Sequence, residues 1–142
     1  MTLTYSFKDK VEPEDLKILG DGLTAHSAEV GFGATWKDLA AFATDASGAV
    51  RGGIAGNTGQ GMLYIRLLWI HADERGKGLG SKLMAMAEAE GIKRGCHTAG
   101  VDTFSYQAPA FYPKLGYTEF GRVVGLGQNK DLSRFWFMKR IG

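Results

Sequence analysis

The hydrophobic pattern of this chain is a series of short apolar segments, most of them bounded by turn-forming residues. Residues 3–7 alternate apolar and polar side chains, which is the period of a strand with one buried face. Further strands are predicted at 36–44, 50–56, 62–70, 98–104, 117–124 and 134–141. Turn residues at 45–48 separate the first two of these, which are therefore expected to form a hairpin, and another turn is predicted at 57–61.

Helical patterns occupy other segments. The first helix is predicted from Pro13 past Leu23, because proline suits a first helical turn and acidic residues follow it. Two glycines, Gly20 and Gly22, interrupt this segment, and we expect a break or bend near them.

A second helix is predicted from Leu79, because apolar residues recur at helical spacing as far as Ile92 and Gly95 supplies a natural stop. A third, at about 108–115, should be limited to one or two turns by Pro113, which lacks an amide hydrogen. The resulting order is β-α-β-β-β-α-β-α-β-β. It predicts an α/β architecture with a mixed sheet, and no linker or repeat divides residues 1–142 into further domains.

Composition narrows the class of protein. The chain has 142 residues and a formal net charge of +2, which is too small to argue for nucleic-acid binding. No apolar run reaches the roughly 18 residues of a membrane span, and the first residues lack a secretory signal pattern. The single cysteine, Cys96, excludes an internal disulfide. We therefore expect a cytoplasmic protein that binds neither nucleic acid nor membrane.

The most informative segment lies between the strand at 62–70 and the second helix, and its residues are Arg75, Gly76, Lys77, Gly78, Leu79, Gly80 and Ser81. Glycines at alternate positions let backbone N–H groups approach an anion, and the following helix directs its positive end to the same place. The segment therefore predicts a pyrophosphate-binding loop. Its spacing is neither that of a dinucleotide-binding loop, Gly-x-Gly-x-x-Gly, nor that of a Walker loop.

Two blocks in this part of the chain resemble those of the GNAT superfamily of N-acetyltransferases. The pattern Arg75-x-x-Gly78-x-Gly80 is similar to the family's motif A, which binds the pyrophosphate of acetyl-CoA. Residues 107–117 are similar to the family's late block, with matches at Ala108, Phe111, Tyr112, Lys114 and Gly116. The two blocks also follow each other in the family's order.

The late block departs from the family pattern at two positions. Ser105 stands where the family often has asparagine, and Tyr117 replaces phenylalanine. Residues 1–59 carry no diagnostic motif, so the resemblance depends on residues 60–122. It implies a GNAT fold in a single domain, namely an α/β fold with a central mixed, mostly antiparallel sheet flanked by helices on both faces.

The resemblance implies an enzyme that transfers an acetyl group from acetyl-CoA to a primary amine by direct attack in a ternary complex. The acceptor is unidentified, a small molecule or a protein amine, and no metal is implied. In the family, backbone groups at the end of the central strand bind the pantetheine arm. The residues expected to contact the cofactor are Leu68, Trp69, Ile70, those of the loop at 75–81, Gln107 and Phe111.

Tyr112 is expected to donate a proton to the CoA thiolate, as the tyrosine of this block often does in the family. A phenol pKa near ~10 suits protonation of a thiolate. The general base is left open, because the central strand has Tyr64 and Arg66 where many family members have a glutamate. The candidates are His26, Glu29, His71, Asp102 and a chain of water molecules.

Other questions remain open at this stage. The absent glutamate leaves a second function possible, a non-catalytic sensor module that binds acyl-CoA. The acceptor is expected to lie among residues 20–36, the central strand and residues 121–133, with Arg66 and Arg122 as partners for a carboxylate or phosphate. The apolar run 135–138 predicts a homodimer joined near the C-terminal strands, or else cover by the same chain. The sequence does not decide whether other acyl-CoAs are used.

Overall fold

The computed structural model of the protein describes residues 1–33 and 35–142. These residues form two compact units, Met1–Thr35 and Trp36–Gly142. Ala34, which belongs to the segment expected to form part of the acceptor site, lies outside the described residues.

Helix α1 (Pro13–Glu29) of the first unit begins where the sequence predicts. Its first turn is stabilised by Asp15, whose carboxylate accepts the backbone N–H of Glu12 at 2.9 Å. The predicted break near Gly20 and Gly22 is wrong, because the helix is continuous. A glycine inside a helix costs about 1 kcal/mol relative to alanine, which weakens a helix without ending it.

The strand predicted at residues 3–7 is also wrong. Residues 1–8 have no regular secondary structure. An alternating segment becomes a strand only where a neighbour accepts its hydrogen bonds. The strand pairs in the described part of the chain all join segments of the second unit.

The second unit is built on a sheet that has six strands among the described residues. These are β1 (Lys37–Thr44), β2 (Val50–Gly59), β3 (Met62–Ile70), β4 (Thr98–Phe104), β5 (Thr118–Leu126) and β6 (Leu132–Arg140). Their order is β1-β2-β3-β4-β6-β5, with β3 and β4 parallel and the other neighbours antiparallel. Helices α2 (Leu79–Lys93) and α3 (Phe111–Lys114) accompany them. The prediction of a mixed, mostly antiparallel sheet is confirmed.

The predicted element boundaries agree closely with those observed, and β3 and β4 agree to the residue. Strand β2 is longer than predicted, because residues 57–59 were expected in a turn but belong to the strand. Asn57 and Thr58 pair with both neighbouring strands, and Gly59 pairs with β3. The turn itself is Gln60-Gly61, where both residues have positive φ. As predicted, the helix that contains Pro113 is short, a single turn.

The core of the second unit lies on the face of the sheet that α2 covers. Leu63 and Ile65 of β3 are buried in one cluster with Leu83 and Met84 of α2. Each such side chain contributes roughly 1.5–3 kcal/mol when it is fully buried. Because side chains alternate along a strand, Tyr64 lies on the opposite face.

A β-bulge interrupts the pairing of β2 with β3. The register shifts by one residue between Ala55 and Gly56, so Arg66 of β3 is an extra residue without a partner on β2. A Cβ on Gly56 would lie 2.1 Å from the carbonyl oxygen of Tyr64. A side chain at position 56 would therefore collide with the main chain of the bulge, and glycine is required there.

Strands β3 and β4 separate beyond the bulge. Their last residue pair is Ile65 with Val101. Beyond it, β3 remains paired with β2 and β4 remains paired with β6. We refer to the gap between residues 66–70 of β3 and residues 102–104 of β4 as the cleft. Backbone groups that face the cleft have no partner on a neighbouring strand among the described residues, so those that no side chain engages are available to a ligand.

The apolar run of β6 alternates between the two faces of the sheet. Phe135 and Phe137 pack with the core, whereas Trp136 and Met138 lie on the opposite face. Two of the four apolar residues are thus accounted for within the chain. The homodimer stays a prediction, and it now concerns the face that carries Trp136 and Met138.

Replacing Gly56 with alanine should destabilise the second unit by an amount on the order of 3 kcal/mol, because the new methyl group meets main chain that cannot move aside. Denaturant unfolding measures the change. The control is Gly121→Ala in β5, where a Cβ would be 3.8 Å from the side chain of Trp136 and the cost should stay below about 1 kcal/mol. Wild-type stability of Gly56→Ala would contradict the register of the bulge.

Candidate active site

The loop between β3 and α2 forms a cradle at the start of the helix. After Ile70 the chain makes a 3₁₀ turn at Ala72–Glu74, and α2 begins at Leu79 with Gly78 as its N-cap. Gly76 and Gly78 have φ values of 75° and 83°, which glycine adopts without strain. We refer to residues 75–81 as the cradle.

The first backbone N–H groups of α2 are available to an anion. Those of residues 79–81 precede the first intrahelical bond, which runs from the N–H of Lys82 to the carbonyl of Gly78 at 3.1 Å. A Cβ built on Gly76 or Gly78 would meet no described atom within 4 Å, so the cradle is open. The helix dipole adds positive potential at the same place. The cradle therefore has the geometry of a phosphate-binding loop.

Basic side chains border the cradle, and they differ in how strongly other residues of the chain already bind them. The Nε of Arg75 donates to the carbonyl of Ile70 at 3.2 Å, so this side chain folds back onto the end of β3. Arg51 pairs with Glu74 at 3.3 Å. Lys77 is exposed, and its ion pair with Glu74, at 3.6 Å, is worth little in solvent. Lys77 is thus the cation that can most easily turn to a phosphate.

Phe111 brings the late block to the cradle. A Cβ on Gly80 would lie 3.2 Å from the Cζ of this ring, so the missing side chain admits Phe111 against the first turn of α2. Gln107 has an intrachain role instead. Its amide oxygen accepts the backbone N–H of Phe104 at 2.9 Å and closes the turn that follows β4.

The last residues of β3 divide between the two faces of the sheet. Leu68 and Ile70 pack against the core. Trp69 lies on the opposite face, 49% exposed, with its ring in edge contact with His71 at 6.0 Å between centroids. Alternate residues of a strand direct their N–H and C=O groups to opposite sides, so only part of this backbone faces the cleft, and the carbonyl of Ile70 already accepts from Arg75.

Tyr112 is 6% exposed and lies in a cluster of aromatic rings. Its ring centroid is 5.1 Å from that of Phe111 and 5.6 Å from that of Phe137. Burial raises the pKa of Tyr112 to about 12, and the negative charge of Asp102 acts in the same direction. The expectation of a pKa near the ordinary phenol value is therefore wrong. The hydroxyl remains protonated at neutral pH, and none of the described hydrogen bonds engages it.

The sequence did not reveal a polar cluster beside Tyr112. The hydroxyl of Tyr117 donates to Glu88 at 3.1 Å, and Lys139 donates to the same carboxylate at 2.7 Å. Burial, followed by the charge of Glu88, raises the pKa of Tyr117. The sequence did contain one indication of this cluster. Glu88 follows Met84 by one helical turn and therefore lies on the buried stripe of α2.

A second polar cluster joins three strands on the opposite face of the sheet. The hydroxyl of Tyr64 donates to the carboxylate of Asp102, and Arg134 donates from Nε to the same carboxylate at 2.8 Å. Burial raises the pKa of Tyr64, and its hydrogen bond to Asp102 raises it further. We refer to Tyr64, Asp102 and Arg134 as the bridge. Asp102 is the first residue of β4 beyond the last pair with β3, so the bridge lies at the inner end of the cleft.

The candidate bases differ in what already engages them. Asp102 accepts from both of its partners in the bridge. The Nδ1 of His71 accepts the backbone N–H of Asp73 at 3.1 Å, which leaves the proton of the neutral ring on Nε2. The same Nδ1 lies 3.8 Å from the carboxylate of Asp73. His26 and Glu29 lie on α1, in the first unit.

The two arginines proposed to bind an acceptor anion differ in their partners. Arg122, a candidate for binding an acceptor anion, instead pairs with Glu119 at 2.8 Å. Arg66 has no ion pair with a described residue. Within the described chain, no three His, Cys, Asp or Glu side chains are grouped to hold a metal ion. No helix in the same residues is both long and apolar enough to cross a membrane.

Comparisons with known proteins agree on one family. A family model described as the acetyltransferase (GNAT) domain matches residues 27–119. The acetyltransferase Atu2258 of Agrobacterium fabrum (strain C58) is 34% identical over 140 residues, which cover 98% of this chain and 100% of that protein. The crystal structure of an acetyltransferase from Agrobacterium tumefaciens matches with a TM-score of 0.85 and 33% identity, over 97% of this chain and 99% of that one.

A further relative has a named acceptor. The blasticidin-S acetyltransferase of Streptomyces morookaense is 42% identical over 79 residues. These cover 55% of this chain and 58% of that protein, so the similarity is local.

Alkaline pH should destabilise the protein through Tyr112 and Tyr117. Both pKa values are raised on folding, so the unfolded chain loses these protons first. The resulting stability is complete below pH ~10 and falls as pH rises toward ~12, by up to ~1.4 kcal/mol per pH unit and group. Denaturant unfolding measures the slope, which Tyr117→Phe should reduce by one group. An unchanged slope in that variant would show that Tyr117 does not contribute.

Proposed function

The chain belongs to the GNAT acetyltransferase family, and on this premise we propose that it transfers the acetyl group of acetyl-CoA to a primary amine of a small molecule. The observation that carries the proposal is the position of the cradle at the outer end of the cleft, where Arg75 donates to the carbonyl of Ile70, the last residue of β3. Residues 66–70 span about 16 Å at the strand rise of ~3.3 Å per residue. An extended ligand with its pyrophosphate in the cradle can therefore reach the inner end of the cleft.

The donor would be held mainly by main-chain groups. The N–H groups of residues 79–81 and the side chain of Lys77 would bind the pyrophosphate. The backbone of residues 66–70 would pair with the amides of the pantetheine arm, which then takes the place of the missing strand. Phe111 would support the first turn of α2 from the side of the late block.

The chemistry asks little of the protein, because the thioester of acetyl-CoA is already an activated acyl group. The amine attacks the carbonyl carbon in a ternary complex, a C–N bond forms and the C–S bond breaks. The amine then gives up one proton and the departing thiolate gains one. The protein's contribution is alignment along the cleft and a proton donor at its inner end.

Tyr112 is the residue we assign to the thiolate. Its side chain is largely buried, its hydroxyl is protonated at neutral pH, and none of the described hydrogen bonds engages that hydroxyl. After donation, a phenolate with a pKa of about 12 is a strong base, so it regains a proton from water rapidly.

We assign removal of the amine proton to water. Both titratable candidates of the second unit, His71 and Asp102, already accept hydrogen bonds from neighbours. The enzyme would then act on the uncharged fraction of the acceptor. Its rate should rise with pH until the amine of the acceptor is fully deprotonated.

The acceptor class is proposed from the similarity to blasticidin-S acetyltransferase, which favours a small amine of the antibiotic type over a protein amine. The function is tested by release of CoA thiol against a panel of amines that includes blasticidin S and a peptide with a free N-terminus. Turnover of the peptide alone would contradict the small-molecule assignment.

A non-catalytic acyl-CoA sensor is the second candidate. It is favoured by one observation, that both His71 and Asp102 are already engaged. Tight binding of CoA with no thiol release across the whole panel would support the sensor and contradict the enzyme.

Replacing Gly78 with alanine should weaken CoA binding at least tenfold, or ~1.4 kcal/mol, because the methyl group enters the open cradle. The control is Gly95→Ala at the other end of α2. Gly95 also has open space and a similar φ of 88°, so both variants carry the same backbone strain of about 1–2 kcal/mol. Calorimetry of CoA binding distinguishes them. Equal affinities in the two variants would remove the cradle from the cofactor site.

Replacing Tyr112 with phenylalanine should lower kcat by a factor on the order of 100 and leave the Kd of CoA within about twofold, as expected for loss of a general acid. Tyr117→Phe, which removes a neighbouring buried hydroxyl, should retain kcat. Because the pKa of Tyr112 is about 12, no loss of kcat from its ionisation is expected between about pH 7 and 10. Wild-type turnover of Tyr112→Phe would reduce this residue to a packing role.

A further inference from the structure

The side chain of Tyr64 crosses the inner end of the cleft on the face opposite α2. Its ring leaves β3 just before the last β3–β4 pair, and its hydroxyl reaches Asp102 on β4, just beyond that pair. Between these points the ring passes Gly100. A Cβ there would lie 3.8 Å from the Cδ2 of Tyr64, so the ring lies close to this part of β4.

The ring of Tyr64 is held in place by Arg134 of β6, which acts through Asp102. Arg134 donates to Asp102, and its guanidinium carbon lies 5.1 Å from the ring centroid of Phe104 and 5.0 Å from that of Trp136. A charge-assisted hydrogen bond and two cation–π contacts leave this guanidinium few alternative positions. Asp102 is in turn fixed between the guanidinium and the phenol. The bridge is therefore a firm closure of the cleft.

We propose that the bridge determines which acyl group the enzyme accepts, leaving room for acetyl and excluding longer straight chains. The inference rests on the proposed function, in which the thioester lies at the inner end of the cleft. An acyl chain that extends from the thioester toward this face meets the ring of Tyr64. A pocket of fixed shape discriminates one methylene by roughly 10- to 200-fold, and butyryl adds two.

Calorimetric titration with CoA, acetyl-CoA and butyryl-CoA tests the assignment without knowledge of the acceptor. The wild-type protein should bind acetyl-CoA at least about tenfold more tightly than butyryl-CoA. In Tyr64→Ala the ratio of the Kd of butyryl-CoA to that of acetyl-CoA should fall to near one, because the butyryl chain can enter the space that the tyrosine ring occupied. The Kd of CoA itself should stay within about twofold, which also reports that the variant is folded.

The control is Met62→Ala. Met62 lies on the same face of β3, two residues earlier, where β3 and β4 are still paired. Its truncation should leave the ratio of Kd values as in the wild type. Tyr64→Leu keeps apolar volume on β3 but removes the reach to Asp102, so it provides a second variant in which the ratio should fall if Tyr64→Ala does not fold.

The possible results distinguish the role of the bridge from the proposed function. A wild-type protein that binds CoA but binds acetyl- and butyryl-CoA equally well would overturn the inference alone. So would a wild-type ratio retained in whichever Tyr64 variant folds, or a ratio that falls equally in Met62→Ala. Failure of CoA itself to bind the wild-type protein would overturn the proposed function as well.

Discussion

The separation of β3 from β4 is the constraint on which the rest of the site depends. Parallel neighbours in a sheet normally exchange main-chain hydrogen bonds along their full length, and unpaired backbone groups are costly when buried. Here the pairing stops at Ile65 and Val101, directly beside the bulge that inserts Arg66. Gly56 permits this bulge because it has no side chain to meet the Tyr64 carbonyl. The absence of a side chain at Gly56 of β2 thus permits the bulge beside which β3 and β4 separate.

Each face of the sheet carries a polar cluster that joins side chains from distant parts of the chain. On the α2 face, Glu88 joins Tyr117 and Lys139 beside the rings around Tyr112. On the other face, Asp102 joins Tyr64 and Arg134. In each cluster a single carboxylate accepts from a phenol and from a cation, so its charge is neutralised where it is partly buried. The bridge therefore links β3, β4 and β6 where the pairing of β3 with β4 stops, and the Glu88 cluster links α2 to β6.

The parts of this arrangement that are local in sequence could be predicted, and those that depend on folding could not. The cradle was recognisable because its glycines and the helix that follows are adjacent, and the boundaries of β3 and β4 followed from short apolar runs. The pattern at 3–7 misled, since a strand needs a partner that the pattern does not contain. The partners of Asp102 lie 38 and 32 residues away, and the high pKa of Tyr112 comes from burial among rings that only the fold assembles.

Helix α2 sets the spacing between the cradle and the Glu88 cluster. It is bounded by Gly78 and Gly95, both in the left-handed conformation, and it carries the cradle at its start and Glu88 in its third turn. One residue inserted between these points would turn Glu88 by about 100° around the helix axis, away from Tyr117. The turn at 45–48 is exposed and does not set the spacing between parts of the site. Added residues there would therefore leave the site in place. Length variation among functional homologues should therefore collect in such turns, while the spacing from cradle to Glu88 stays constant.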